Sequence, residues 1–263
     1  MPAVLVNWSL LQFQSLVLIL MRVTPILFMM PILSSPNIPH LPKVGLALTV
    51  GLILLPLVRI NPQFLPGEPS QFALLMMAEL IIGFVLSLSV RVIFAAIQLG
   101  GEFVAFQMGF AMANVVDPQS EVSSPVISQL IYFLGILLFL SMDGHHWFFR
   151  ALNQSFLLLA PGEVHLRAGL YAHLLNLMRD LFIIAVQLAA PVLAVLMFTQ
   201  ISLGILAKAV PQVNILMTSF PLTIGIGLLF ITFSLDLLIP YLEGLFQNVG
   251  KGLVFTLLPL MQR

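Results

Sequence analysis

Cysteine is absent from the 263 residues, which rules out disulfides, thiolate nucleophiles and thiolate-bound metals and leaves the redox compartment unread. Charge is scarce as well. Asp, Glu, Lys and Arg make up 8% of the chain, with 10 basic residues against 10 acidic ones. No basic patch can be drawn from that set, so nucleic acid is excluded as a partner, and no soluble domain covers its surface with so few charges. Catalytic signatures are missing too: there is no GxSxG elbow, no HExxH and no glycine-rich phosphate loop. The chain is therefore read as a non-enzyme with no cofactor and no resident metal. Its first basic residue is Arg22, inside an apolar run, so the N-terminus lacks the charged start of a cleavable signal and is read as mature structure.

Hydrocarbon fills the chain instead: 60% of residues are hydrophobic and the mean hydropathy is +1.11. Apolar windows run over 8–30, 44–59, 71–98, 126–142, 177–208 and 212–240, with a shorter one at 101–115. They are too long for strands, and several reach the ~20 residues that a helix needs to cross a bilayer. The expectation is an all-α membrane protein of about six to eight helices. If six windows span, Arg59, Arg150, Arg167, Arg179, Lys251 and Arg263 fall on one side, and Lys43 and Lys208 on the other. Positive charge favours the cytoplasm, which puts both termini there.

Proline and glycine punctuate the windows. "PILSSPNIPHLPK" (31–43) reads as an ordered, extended turn, and "INPQFLPGEPS" (60–70) as a second break. "DGHHWFFR" opens an amphipathic stretch whose Trp147, Phe148 and Arg150 suit a membrane interface, and a second such stretch follows Pro161-Gly162. Lys208, Pro211, Gln212 and Asn214 form a polar hinge between the last two windows, which reads as a helical hairpin.

Three groups of residues carry candidate function. Gly101, Ala105, Gly109 and Ala113 recur at every fourth position, a small-residue stripe where another helix backbone can come close. The stripe leads into "QMGFAMANVVDPQSEVSSPVISQ" (107–129), the most polar run near the middle of the chain. Irregular polar backbone is tolerated at membrane depth only within protein or beside a water-filled cavity, so this segment either emerges into water or lines a passage. Phe106, Phe110, Met108 and Met112 could close such a passage, although Met and Phe at helical spacing are more often core. Glu79, Arg91, Glu102 and Asp236 are intramembrane charges whose partners must come from other helices or chains. His145 and His146 are adjacent, about 100° apart on a helix, and so lack the spacing of a metal pair.

The quoted proline-rich turn, "GEFVAFQMGFAMANVVDPQSEVSSPVISQ" and "LAKAVPQVNILMTSFPLTIGIGLL" together resemble the FliR/SctT family of bacterial export-gate proteins. The resemblance implies a FliP-like helical part over 1–176, followed by a FliQ-like hairpin and tail over 177–263. It implies partnership with FliP-like, FliQ-like and FlhB-like subunits in the bacterial inner membrane at the flagellar basal body, and passage of unfolded proteins. It also implies that a loop at about 106–122 plugs the closed pore, so that Phe106, Gln107, Met108, Gly109, Phe110, Met112, Asn114, Asp117, Pro118, Gln119 and Ser120 would belong to the gate. Much of the apolar material would then pack against neighbouring subunits, out of the bilayer plane. Three alternatives stay open: the equivalent SctT subunit of a virulence system, a free-standing ion-coupled transporter using Glu79, Arg91 and Asp236, and an intramembrane enzyme using Asp143 and His145.

Overall fold

Apolar runs of this length leave backbone N–H and C=O groups little to bond except one another, and in the computed structural model they close into seven α-helices among the described residues. The structure describes residues 10–35, 37–58, 65, 68–110, 125–161, 168–210 and 215–252, and no strand occurs among them. The helices are α1 Leu10–Met29, α2 His40–Leu54, α3 Pro69–Met108, α4 Val126–Ser141, α5 Gly144–Leu158, α6 Ala168–Ala209 and α7 Ile215–Gly252.

Among the described residues four of them are long and apolar enough to cross a membrane, and a fifth span is reached only if α4 and α5 count together. The six windows considered as spans therefore do not all give spanning helices. The window at 44–59 yields the 15-residue α2, about 22 Å long against a hydrocarbon core of about 30 Å. α2 also starts earlier and stops earlier than its apolar window. Pro42 lies in its first turn, where the missing N–H has no intrahelical acceptor to lose. The preceding loop makes a turn at 31–34, closed by Ser34 N–H donating to the Met30 carbonyl at 2.8 Å, and is extended at Pro39, φ −55° and ψ 152°.

The windows at 71–98 and 101–115 merge. α3 runs unbroken through Gly100-Gly101 for 40 residues, so Glu102 shares a helix with Glu79 and Arg91. Two glycines in a helix interior cost about 1 kcal/mol each, and tight packing offsets this. A Cβ on Gly100 would meet the Ala185 carbonyl oxygen at 2.9 Å, and one on Gly101 would meet Ser128 Cα at 2.7 Å. α3 is the inner helix, with 67% of its most apolar window buried against 22% for that of α7. At 1.5 Å per residue α3, α6 and α7 are about 60, 63 and 57 Å long, about twice the hydrocarbon thickness.

The chain divides into two compact units: Met1–Arg91, Asp143–Leu175 and Gln247–Arg263 form one, and Val92–Met142 and Asn176–Phe246 the other. In the first, α1 packs against α2, where Gly51 lets the Leu20 side chain close in. In the second, Val104, Ala105 and Met108 of α3 share a core with Ile127 of α4, Ala189, Val192 and Leu196 of α6 and Ile231 of α7. Phe94 adds an aromatic cluster there with Phe139 and Phe246, ring centroids 5.4 Å away in both cases. The Tyr241 hydroxyl of α7 donates to Gln187 of α6, while Gln200 and Leu203 line a hollow together with Ser219, Phe220 and Thr223. Early residues of α7 thus meet late residues of α6, so the two helices run antiparallel.

Candidate functional site

The segment read as a gate begins where α3 stops, in the second unit. The stop is set by glycine. Gly109 has φ +97°, a conformation that L side chains rarely adopt, and its N–H donates to Phe106 O at 3.0 Å while Phe110 N–H reaches Ala105 O at 3.1 Å. These two bonds satisfy carbonyls that the last helical turn would leave open, the double closure of a Schellman motif. Gly109 is therefore the terminator of α3 and no member of a helical stripe, which corrects the four-residue pattern. Only Gly101 and Ala105 stand on the helix as expected, and Ala113 lies outside the described residues.

α3 is anchored at that end. The Thr223 hydroxyl of α7 donates to the Met108 carbonyl at 3.0 Å. Met108 itself is fully buried, and a Cβ on Gly227 would meet its Sδ, Cγ and Cε at 2.7 Å. Gln107 Nε2 donates to Gln200 Oε1 at 3.0 Å, and Gln200 Nε2 returns to the Gln107 carbonyl at 3.3 Å. Beside this pair lies a hollow of about 310 Å³ lined also by Gly109, Gly204, Ser219 and Phe220. The expected gate residues thus separate: Met108 is core, Phe110 is half-buried against that core, and Phe106 is 69% exposed. Met112, Asn114, Asp117, Pro118, Gln119 and Ser120 lie outside the described residues. So do Pro211, Gln212 and Asn214 of the hinge, whose flanking helices end at Ala209 and begin at Ile215. Lys208 is in the last turn of α6, where a cation suits the helix dipole.

The first unit holds a buried ion pair that sequence reasoning saw only in half. Glu79 of α3 is completely buried, and Arg22 of α1, also completely buried, donates from Nε to its Oε2 at 2.6 Å. Gly83 makes this approach feasible. It lies one turn beyond Glu79 on the same face of α3, and a Cβ there would collide with the Arg22 carbonyl oxygen. Arg22 Nη1 donates to the Ser155 carbonyl at 2.9 Å and to the Leu159 carbonyl at 3.0 Å. It thereby adds a second donor to the Ser155 carbonyl, which already accepts from the Leu159 N–H, and supplies one to the Leu159 carbonyl at the end of α5. The guanidinium also sits 4.4 Å from the centroid of the Phe156 ring. One guanidinium thus ties three helices, while Arg22 Nη2 and Glu79 Oε1 are buried without a hydrogen-bond partner. The signal for Arg22 was present, since it is as isolated in its apolar window as Glu79 is in its own. From sequence it is read only as the first basic residue of the chain and not as a partner. Of the other intramembrane charges, Arg91 and Asp236 are exposed, and Glu102 accepts from Gln98 one turn earlier at 3.2 Å.

Comparison with known proteins gives a consistent result. The model for bacterial export proteins, family 1, matches residues 13–249. The flagellar biosynthetic protein FliR of Escherichia coli (strain K12) is 32% identical over 247 residues, covering 92% of this chain and 93% of that protein. FliR of Bacillus subtilis (strain 168) is 30% identical over 238 residues, covering 89% and 91%. FliR of Borreliella burgdorferi is 37% identical over 161 residues, covering 60% of each chain.

Proposed function

We infer that this chain, which belongs to family 1 of the bacterial export proteins, works as a membrane-embedded component of the flagellar export apparatus. In this reading it is a channel subunit and not an enzyme. It joins FliP-like, FliQ-like and FlhB-like subunits in the inner membrane and forms with them the passage for unfolded proteins, and the segment from Phe106 to Val122 closes that passage at rest.

The observation that carries the reading is the mismatch between helix length and apolar surface. α6 and α7, at about 63 and 57 Å, exceed what one bilayer covers, yet α6 exposes Leu175 at 53% and Ile205 at 66%, about 45 Å apart along its axis. Side chains of that size need apolar neighbours along the whole helix, and other helical subunits supply them where lipid cannot. The abrupt anchored end of α3 supports the gate assignment, because it gives the following segment a fixed root. The transporter reading has lost Glu79, which is occupied by Arg22, and its other carboxylate, Asp236, is exposed. The relatives that match are flagellar proteins by name, which favours the flagellar over the virulence system.

The test is permeability of cells carrying the assembled complex. Removing Val115 to Ser120, or combining Phe110→Ala with Met112→Ala, leaves assembly intact and raises ion conductance or dye entry while secretion is idle. A buried side chain of Phe size is worth about 3 kcal/mol or more, enough to move a closed-to-open ratio about a hundredfold if the contact exists only when closed. Parental permeability in a verified assembled complex would place the gate elsewhere.

A further inference from the structure

Asp143, His145 and His146 come together where α5 begins. Helical periodicity alone separates the two histidines, but it says nothing of the residue before the helix. Asp143 has a left-handed backbone, φ 54° and ψ 30°, and makes no side-chain cap hydrogen bond, although Asp in this position ordinarily caps the free N–H groups of the first turn. Its Oδ1 stands 3.6 Å from Nδ1 of His146 instead. That is too long for an N–H···O hydrogen bond. It is close to the ~3.3 Å that separates two ligands held at ~2.0–2.1 Å by one tetrahedral ion. The His145 ring lies 4.2 Å from the His146 ring, centroid to centroid, and its Nδ1 is buried with no hydrogen-bond partner among the described residues. One ligand atom from each of the three residues falls within 4.8 Å of the others.

We propose that Asp143, His145 and His146 bind a divalent ion of the zinc class, with the remaining coordination position open to water or to a donor from another molecule. Two imidazoles and one carboxylate, without thiolate, suit Zn²⁺, Co²⁺ or Ni²⁺, whereas Ca²⁺ and Mg²⁺ require oxygen ligands. The Asp143 and His146 side chains are 74% and 58% exposed, so the ion enters from solvent and rotation of both side chains closes the set around it. The positive end of the α5 dipole opposes a cation at this place, and the Asp143 carboxylate offsets it. The site is accordingly an exchangeable one and not a structural zinc centre.

The experiment is a Co²⁺ titration of the full chain in detergent, carrying no histidine tag, read by the visible absorption of tetrahedral cobalt and followed by Zn²⁺ competition. One ion per chain is expected, displaced by Zn²⁺. H145A and H146A should each weaken binding beyond the ~10–100-fold that loss of an outer-sphere partner costs, D143N should weaken it too, and H40A should leave it unchanged. Trp147 fluorescence checks that each variant is folded. Should H145A fail to fold, H146Q, at an exposed side chain, carries the same test. No tetrahedral cobalt spectrum, or a spectrum that survives H145A with H146A, overturns the proposal. So does a spectrum lost in H40A.

Discussion

Arg22→Met removes the guanidinium that Glu79 Oε2 accepts from and leaves a carboxylate with no exposed surface facing apolar side chains. Breaking one partner of a buried pair in this way costs about 3–5 kcal/mol. Glu79→Leu strands the guanidinium instead and costs a similar ~3–5 kcal/mol. The double variant is the informative one. Met and Leu fill comparable volume, and an apolar replacement of a whole buried pair is often neutral. What persists is the lost donor to the Leu159 carbonyl, about 1–3 kcal/mol for a polar group left unsatisfied, since the Ser155 carbonyl keeps the Leu159 N–H. The double variant is therefore more stable than either single one, and the singles overestimate its cost by at least ~3 kcal/mol. Unfolding of the detergent-solubilised chain, followed by fluorescence of Trp147 on α5, measures all three. Additivity within ~0.5 kcal/mol would refute the reasoning, because it would mean that the two charges do not sense each other.

Three glycine substitutions extend the test to packing. Gly83→Ala pushes a methyl group into the Arg22 carbonyl, so it should lower stability by about 1–3 kcal/mol, in the range for overfilled cores, measured by the same unfolding assay. Gly109→Ala forces a Cβ into φ +97° and within 2.8 Å of the Phe220 ring, with an expected loss of about 1–3 kcal/mol; unchanged stability would remove the terminator assignment. Gly204→Ala, in α6 with nothing within 4 Å of its Cβ position, should be neutral or stabilise the isolated chain by up to ~1 kcal/mol. Destabilisation there would show that the open face of α6 is already covered within the chain.

The helical class was legible because 8% charge leaves no other way to satisfy so much apolar backbone. Helix limits were less so. Gly100-Gly101 looked like a break, since glycine is costly in an isolated helix, yet the contacts that make it tolerable come from Ser128 and Ala185, far along the chain. Pro42 looked like loop because propensity rules describe helix interiors and not first turns. Gly109 was counted as a packing residue by its spacing, although a glycine next to a polar run is equally a helix stop. The pairing of Arg22 with Glu79 spans 57 residues, and no local pattern encodes which of several isolated charges will meet. The Asp143 cluster depends on one left-handed backbone angle, to which hydrophobic periodicity is blind.

The end of α3 also has a mechanical meaning. Its last carbonyl is held by the Thr223 hydroxyl, its last side chain is fully buried, and the residue that follows is Gly109 at φ +97°. Stiffness therefore changes abruptly within one residue, from a helix clamped on two sides to a peptide unit with no side chain to hinder rotation. A load applied to the chain beyond Phe110 would first break the Gly109 and Phe110 N–H bonds to the Phe106 and Ala105 carbonyls and turn the backbone at Gly109 before it unwound α3. The helix then behaves as a fixed post and the glycine as its swivel, so that large displacements on one side leave the packing of α4, α6 and α7 on the other undisturbed.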